Sequence, residues 1–186
     1  KLLNWAAKNK VTLIEYDRGE LYFGSQRPKS LAQLAATVPK VKVISIQDFF
    51  DTLSTRICLG FAIGVNCNDQ LLEAKHTTTE EPALHNQNLV NSIIASGDYE
   101  KILVKFRRQL YKNYLETQKL FRLYMPPDIQ YSNLEGGPCL WFKLAEGKSS
   151  TTLWQRLINQ DVAIAPGTMF SFDQKFEQYF RLTFAL

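Results

Sequence analysis

Two apolar patterns alternate along the first third of the chain. Short, largely apolar runs have the length of buried strands at residues 11–15, 41–46 and 57–65. Between them, apolar positions recur at helical spacing, in the opening residues and again over 30–36. Because helices that alternate with apolar strands build layered structures, this part of the chain is predicted to be an α/β layer.

Helical spacing dominates the middle of the chain, where helices are predicted over 68–75, 82–95 and 98–124. Asp98 is a residue type that caps helix N-termini, and Pro126-Pro127 ends the longest helix because proline lacks an amide N–H. We expect this helix to link two subdomains. Its predicted buried stripe consists of Tyr99, Leu103, Phe106, Leu110, Tyr114, Phe121 and Tyr124.

A new unit is predicted to follow the paired prolines. Its pattern indicates strands over 137–144, 162–165 and 179–185, with a helix over 151–159. This mixture is typical of a small α+β fold. We therefore divide the chain into a partial large α/β domain, residues 1–105, and a small C-terminal α+β domain, residues 106–186.

Composition narrows the class of protein. With 45% hydrophobic and 22% charged residues among 186, the chain is typical of globular proteins, and no apolar run approaches the roughly 18 residues that span a bilayer. The net charge of +4 is spread along the chain and does not indicate a nucleic-acid binder. Three widely spaced cysteines fit neither a disulfide framework nor a metal site, so we expect a reducing cytoplasm.

Candidate metal ligands are sparse in the sequence. His76 and His85 have no cysteine or carboxylate neighbours at metal-ligand spacing, so we expect no metal site. Cys58 and Cys139 lie in apolar strand candidates, where cysteine usually behaves as a small buried hydrophobe. A catalytic cysteine is therefore not expected.

The closing block carries a family resemblance. Gly136-Gly137-Pro138-Cys139-Leu140-Trp141, then residues 162–170 and Arg181-Leu182-Thr183-Phe184-Ala185, resemble the small domain of class I/II aminotransferases of fold type I. Residues 1–60 resemble, more narrowly, the aminotransferase-like domain of MocR-type regulators in the GntR family. The resemblance implies the C-terminal part of a fold-type-I PLP-transferase-like large domain, a long linking helix and a small α+β domain.

The resemblance also implies partners. Members of that regulator family contact DNA through an N-terminal winged helix-turn-helix domain, and the first half of the large domain precedes the region that this sequence matches. We expect DNA contact only through such an N-terminal domain, which these residues do not contain. A homodimer in the cytoplasm, without a membrane association, is the further expectation from the family.

Pyridoxal-phosphate enzymes need a lysine amine for the Schiff base, a carboxylate beside the ring nitrogen and donors for the phosphate. The family's acidic strand-end motif aligns with Glu15-Tyr16-Asp17-Arg18. The resemblance thereby places Tyr16 at the position of the aspartate that pairs with the ring nitrogen. It places Arg18 at the position of the tyrosine that contacts the ring hydroxyl. Asp17 is an alternative carboxylate if the local register differs.

The lysine motif of the family aligns without gaps to Phe50-Asp51-Thr52-Leu53 and to Cys58-Leu59-Gly60. Asp51 then occupies the position of the Schiff-base lysine. Cys58 occupies the position of a phosphate-binding arginine, for which Arg56 is the alternative. An aspartate cannot form an imine, so we expect no covalent cofactor and no enzymatic activity. A degenerate cofactor site is the resulting interpretation, although pyridoxal phosphate is the cofactor in the family.

Arg181 matches the arginine that clamps the substrate carboxylate in the family, and a guanidinium suits that group geometrically. The alternative is an arginine paired with a local acid or exposed at a strand edge. Aromatic residues crowd the same end of the chain, where core packing is the default role and a ligand pocket the alternative. They are Phe170, Phe172, Phe176, Tyr179, Phe180 and Phe184.

These expectations lead to one functional hypothesis and two alternatives. The sequence favours a catalytically inactive aminotransferase-like domain of a bacterial transcriptional regulator, which dimerises and binds a small carboxylate or amino-acid effector. The first alternative is a pyridoxal-phosphate-dependent enzyme whose lysine comes from elsewhere, for example Lys42 or a residue of a missing N-terminal half. The second is a purely structural protein-interaction domain whose former ligand cleft is filled.

Overall fold

The computed structural model describes residues 1–78, 81–173 and 175–185. Contacts divide the chain into two compact units, Lys1–Phe106 and Arg107–Leu186. The long helix α5 belongs to both, because the division falls between Phe106 and Arg107. The helices are α1 (Leu2–Asn9), α2 (Leu31–Ala35), α3 (Asn68–Thr78), α4 (Leu84–Ala95), α5 (Asp98–Tyr124) and α6 (Ser150–Ile158).

A three-stranded sheet organises the first unit. Its strands are β1 (Thr12–Tyr16), β2 (Lys42–Asp48) and β3 (Gly60–Val65), in the order β1-β2-β3. β1 and β2 are parallel, with Tyr16 opposite Ile46, so their carboxyl ends lie together. β3 returns antiparallel to β2.

Helices α1 and α2 contribute to the main core of this unit. Leu3 and Ala6 of α1 pack in one cluster with Ala35, Val41 and Val43. Alternate residues of β2 point to this side, as the period of two in a strand requires. The short helix α2 starts at a capping box formed by Ser30 and Gln33.

The second unit contains a four-stranded antiparallel sheet. Its strands are β4 (Gln130–Tyr131), β5 (Cys139–Lys143), β6 (Ala165–Pro166) and β7 (Tyr179–Thr183), in the order β4-β5-β7-β6. Leu140, Phe142 and Phe180 are buried on one face. The ring of Phe142 stacks on Phe180 at 4.8 Å and meets Phe121 edge-on at 4.7 Å, which builds an aromatic core.

The predicted α/β and α+β characters of the two units are confirmed, and several details are wrong. The strand predicted over 57–65 begins only at Gly60, and residues 162–164 of the strand predicted over 162–165 lie outside β6. Tyr124 is 80% exposed and does not continue the buried stripe of α5. Short apolar runs do not distinguish a strand from an extended loop, because only pairing with a neighbour does so.

A helix that crosses a membrane must be long and apolar. Within the described ranges, no helix combines the necessary length and apolarity. The longest one, α5, alternates buried positions such as Leu103 and Leu110 with exposed basic side chains. Its exposed cations are Lys101, Lys105, Arg108 and Lys112, which form a solvated face.

Candidate functional site

Three of the positions that the resemblance assigns to the cofactor site, those of Tyr16, Arg18 and Asp51, lie at the carboxyl ends of β1 and β2. Tyr16 is the last residue of β1 and Asp48 the last residue of β2. Arg18 and Asp51 lie in the segments that follow these two strands. Open α/β sheets bind ligands outside the carboxyl ends of their strands, so this position suits a binding site.

Two polar contacts join these residues. The Tyr16 hydroxyl donates a short hydrogen bond to Oδ2 of Asp48. Nη2 of Arg18 donates to Oδ2 of Asp51, which makes an ion pair whose side chains are 41% and 30% exposed. The hydrogen bond to Asp48 raises the pKa of Tyr16, and nearby burial and the Asp48 charge act in the same direction. Tyr16 therefore remains a neutral donor, without the negative charge of the aspartate that the resemblance places there.

Buried neighbours hold Asp51 in place. Phe49 is buried with Ile57 and Val90, and its ring meets Tyr99 edge-on at 5.7 Å. Thr52 is also buried, and its hydroxyl lies 3.1 Å from the hydroxyl of Tyr99. Because residues on both sides of Asp51 are anchored, its backbone position is set by the core of the unit.

Asp17, the alternative carboxylate, is already engaged. Its carboxylate accepts from Nε2 of Gln47 at 2.7 Å, from the amide of Gly19 at 2.8 Å and from Nη2 of Arg27 at 3.3 Å. Arg27 also lies 3.6 Å from a carboxylate oxygen of Glu20. A carboxylate that accepts three hydrogen bonds has little remaining capacity for a ring nitrogen.

A shallow hollow lies between these groups and is nearly filled by them. Its volume is about 10 Å³, which is close to the space that one water molecule requires. Four acidic side chains and one arginine line it, so its charge is predominantly negative. The lining residues are Tyr16, Asp17, Arg18, Glu20, Leu21, Asp48, Asp51 and Thr52, and this set contains no lysine.

Cys58 of the cofactor alignment and Lys42, the alternative lysine, are not among the residues that line this hollow. Cys58 is exposed and precedes β3, so the expectation of a buried strand cysteine is wrong for it. Cys67 is the buried cysteine, with its sulfur 3.7 Å from the carbonyl oxygen of Val43. Lys42 begins β2, and its Nζ donates to Gln70 at 2.9 Å. Lys42 and Asp48 are six residue steps apart along the strand, which corresponds to about 20 Å.

Arg181 lies in the second unit, on β7, between Trp141 of β5 and Ala165 of β6. It is exposed, and its guanidinium carbon lies 5.0 Å from the ring centroid of Phe170. Within the described part of the chain it makes no ion pair, so a local acid does not account for it. Its contact with Phe170 is a cation–π interaction.

Sequence reasoning did not identify Asp48 or Trp141. Asp48 closes β2 and accepts the Tyr16 hydrogen bond, and its position three residues before Asp51 is the one signal that the sequence offers. Trp141 lies directly opposite Arg181 in the sheet. That pairing depends on strand register, which the alternation of apolar residues alone does not specify.

No protein-family model matches the sequence. Among curated proteins, the chain is 28% identical to the 2-aminoadipate transaminase of Thermus thermophilus, over 100% of the chain and 47% of that protein. It is 24% identical to YdcR, an uncharacterised HTH-type transcriptional regulator of Escherichia coli, over 94% of the chain and 37% of that protein. For a second such regulator, YjiR, the identity is 21%, over 100% of the chain and 39% of that protein. The chain thus spans less than half the length of these relatives.

Solved structures of aminotransferases superpose closely on the chain. LysN, the α-aminoadipate aminotransferase of Thermus thermophilus, matches with a TM-score of 0.88 and 28% identity, over 99% of the chain and 48% of that structure. The kynurenine aminotransferase of Pyrococcus horikoshii matches with a TM-score of 0.89 and 23% identity, over 100% of the chain and 46% of that structure. The chain is therefore an aminotransferase-like α/β domain, as its sequence predicts.

Proposed function

We propose that this chain is a catalytically inactive, aminotransferase-like domain of a bacterial transcriptional regulator, which binds a small carboxylate effector and dimerises. The observation that carries the proposal is the ion pair between Arg18 and Asp51. By the resemblance, Asp51 occupies the position of the Schiff-base lysine. A carboxylate cannot form an imine, and this one is already paired with a neighbouring guanidinium.

The residues around the ion pair do not fit pyridoxal phosphate. The cofactor carries a phosphate, whereas the hollow is lined by Asp17, Glu20, Asp48 and Asp51. A pair of like unit charges about 4 Å apart repels by on the order of 1 kcal/mol even in bulk water. Tyr16 remains neutral because its pKa is raised, and so it does not supply the negative partner that the ring nitrogen needs.

Relatives support the regulatory part of the proposal. YdcR and YjiR are both HTH-type transcriptional regulators, and each aligns with most or all of this chain. In such a protein the DNA contact belongs to a separate helix-turn-helix domain, while this domain senses the effector in the cytoplasm. The gene around this sequence provides a test: a winged helix-turn-helix in the same reading frame agrees with regulation, and its absence from the full-length gene contradicts it.

Exposed apolar side chains support the homodimer. Four large apolar side chains of the first unit are exposed. They are Leu72 on α3, and Leu84, Leu89 and Ile94 on α4. Large apolar side chains that are exposed on surface helices mark an interaction surface when they form one patch. Sedimentation of the purified chain should give the mass of a dimer, and Leu84→Glu with Leu89→Glu should shift it to the monomer mass. A wild-type monomer at high concentration contradicts this part of the proposal.

The second candidate function is a pyridoxal-phosphate-dependent aminotransferase. It is favoured by the 28% identity with the Thermus thermophilus enzymes, which exceeds the identity with the two regulators. This function needs a lysine amine beside the cofactor. Lys42 is the example that the sequence offers, but it begins the strand that Asp48 ends.

Titration with pyridoxal phosphate separates the two functions. We expect no aldimine absorbance band and, after borohydride reduction, no cofactor adduct in the mass spectrum of the chain. The Thermus thermophilus transaminase, treated in parallel, provides the positive control. A reducible adduct that disappears in Lys42→Arg, or in any other single lysine variant, contradicts the inactive domain and establishes the enzyme.

A further inference from the structure

A cavity lies beside the loop that joins β5 to α6 in the second unit. Its volume is about 330 Å³, which falls in the range of small-molecule sites, whereas the hollow at the strand ends holds about 10 Å³. The loop lines it with Leu144, Gly147, Lys148 and Ser149, and α6 lines the rest. We call this space the loop cavity.

Hydrogen bonds at both ends fix the loop in place. The amide of Leu144 donates to the carbonyl oxygen of Gln178, and the amide of Ser150 donates to that of Glu177, each at 2.8 Å. Leu144 and Ser150 are both buried. Between them, Gly147 has a φ of +76°, a left-handed conformation that glycine adopts without strain. The loop cavity is therefore preformed, because tertiary contacts hold the chain on both sides of its turn.

One face of α6 is directed towards the loop cavity. Thr152, Leu153 and Arg156 follow the N-cap residue Ser149 at the i+3, i+4 and i+7 positions, which share one face of a helix. Long side chains in a helix lean towards its N-terminus, so the guanidinium of Arg156 is brought towards the first turn. The helical period thus aligns a cation with the polar side chains at the start of α6.

Two cations and no acid line the loop cavity. They are Lys148 and Arg156, and both are exposed. Neither makes an ion pair within the residues that the structure describes. Glu146 belongs to the same loop, but it does not line the cavity. Two like charges at one cavity repel each other, and an anion bound between them removes that repulsion.

Two hydroxyl groups complete the set of donors. Oγ of Ser149 accepts from the amide of Thr152 at 3.4 Å, and this bond does not use the hydroxyl proton of Ser149. The hydroxyl of Thr152 makes no hydrogen bond in the part of the chain that the structure describes. An ammonium, a guanidinium and two hydroxyls offer donors to several oxygen atoms around one centre. The positive end of the α6 dipole favours the same charge.

We propose that the loop cavity binds a small phosphate monoester. The phosphate group lies between Lys148 and Arg156 and accepts from the hydroxyls of Ser149 and Thr152, while the organic part of the ligand packs against Leu153. A phosphate monoester suits this set better than a carboxylate does, because it has close to two negative charges and three acceptor oxygens. A nucleic-acid strand is disfavoured, since it needs a continuous basic groove and only two cations line the cavity.

This inference goes beyond the proposed function. Arg181, the carboxylate-binding candidate, is not among the residues that line the loop cavity. The donors of the cavity also do not depend on the loss of the Schiff-base lysine. The phosphate monoester would therefore be a second ligand of the domain, bound at a site of its own.

Three probes test the charge and the apolar part of the ligand separately. Phenyl phosphate has the phosphate and a ring, phenyl sulfate has the same shape with one negative charge, and inorganic phosphate lacks the ring. Calorimetric titration of the full chain at about pH 8, where the phosphate monoester is close to a dianion, gives each affinity. We expect phenyl phosphate to bind roughly 5- to 10-fold tighter than phenyl sulfate, and roughly 3- to 10-fold tighter than inorganic phosphate.

Paired variants assign binding to the loop cavity. Arg156→Gln should reduce the affinity for phenyl phosphate at least roughly 10-fold, whereas Arg122→Gln, at an exposed position of α5, should leave it within about twofold. Lys148→Gln should act like Arg156→Gln, and Lys119→Gln is its control. Thr152→Val removes a hydroxyl without changing the shape, and should reduce the affinity roughly 2- to 5-fold. All these side chains are exposed, so each variant should fold, and far-ultraviolet circular dichroism verifies this.

Three results would overturn the inference. They are equal affinity for the phosphate and the sulfate, unchanged affinity in folded Lys148→Gln and Arg156→Gln, or tighter binding of a single-stranded oligonucleotide than of phenyl phosphate. Failure of the proposed function is detected separately, because none of the three probes can form an imine. Loss of phenyl phosphate binding leaves the inactive domain standing, and a pyridoxal-phosphate adduct at a Schiff-base lysine leaves the loop cavity standing.

Discussion

Arg18 and Arg181 lie in different units of this chain, and their guanidinium groups have opposite surroundings. Arg18 faces Asp51, which accepts its hydrogen bond, in a hollow of about 10 Å³ that acidic side chains line. Arg181 lies over Phe170 on an aromatic surface and has no ion-pair partner among the described residues. Arg18 therefore donates its hydrogen bond within the protein, whereas Arg181 retains N–H donors that can bind an anion.

The difference shows that residue identity alone does not assign a role to an arginine. The resemblance places both residues at positions that handle the cofactor or the substrate. Asp51, which cannot act as the Schiff-base lysine, is also what neutralises Arg18. At Arg181 the neighbours in the sheet are Trp141 and Ala165, neither of which competes for its N–H donors.

The largest expected effect concerns the stability that a buried ring near Asp51 and an exposed ring near Arg181 each contribute. Phe49 is buried beneath the segment that carries Asp51, so Phe49→Ala should lower the free energy of unfolding by about 3–5 kcal/mol. Phe170 is exposed, and Phe170→Ala should cost about 1 kcal/mol or less. Urea unfolding is followed by tryptophan fluorescence in two single-tryptophan backgrounds, one that retains Trp5 for the first unit and one that retains Trp141 for the second. Equal losses of unfolding free energy in the two variants would contradict this prediction.

The second prediction compares the two arginines directly. Arg181→Gln should weaken the binding of a small carboxylate probe, phenylacetate, at least roughly 10-fold, because a charge-assisted hydrogen bond is lost. Arg18→Gln should change the affinity by less than about twofold, since its donor is already bonded to Asp51. Calorimetric titration of both variants provides the measurement. A larger effect for Arg18→Gln would place the carboxylate site at the strand ends instead.

The third prediction concerns the interaction energy between Arg18 and Asp51, which we expect to be smaller. Because both side chains are partly exposed, solvent screens the attraction, and the coupling between Arg18 and Asp51 should be about 0.2–1 kcal/mol. A double-mutant cycle with Arg18→Gln and Asp51→Asn measures it by urea unfolding. The coupling should decrease at high salt. A value well above this range would mean that the pair is shielded from solvent.

The smallest expected effect concerns Tyr16. Its pKa is raised mainly by the hydrogen bond to Asp48, so Asp48→Asn should lower the pKa towards the ordinary tyrosine value. The neutral hydroxyl is the bonded form, and its contribution to stability is therefore complete below the unfolded-state pKa and is lost as pH rises through the raised folded-state value. NMR of tyrosine labelled at Cζ follows the titration. An unchanged Tyr16 pKa in Asp48→Asn would show that the carboxylate of Asp48 is not its cause.

The predicted elements agree best with the structure where one pattern persists over many residues. The helix predicted over 98–124 has these bounds in α5, because its apolar periodicity persists over the whole segment and the paired prolines that follow stop it. The strand predicted over 162–165 failed, because only Ala165 and Pro166 pair with β7. Cys58 also lies in a short apolar run and was therefore predicted to be a strand residue. It is exposed and lies before the first residue of β3.

The sequence by itself determined the alternation of helices and strands, the long linking helix, and the absence of an amine at Asp51. These properties depend on local periodicity and on residue identity, both of which are present in the linear chain. Only the tertiary structure decided that Asp51 pairs with Arg18, that Asp48 holds Tyr16, and that Arg181 lies beside Trp141. Those contacts join residues more than thirty positions apart, and they depend on strand register, which a local pattern does not contain.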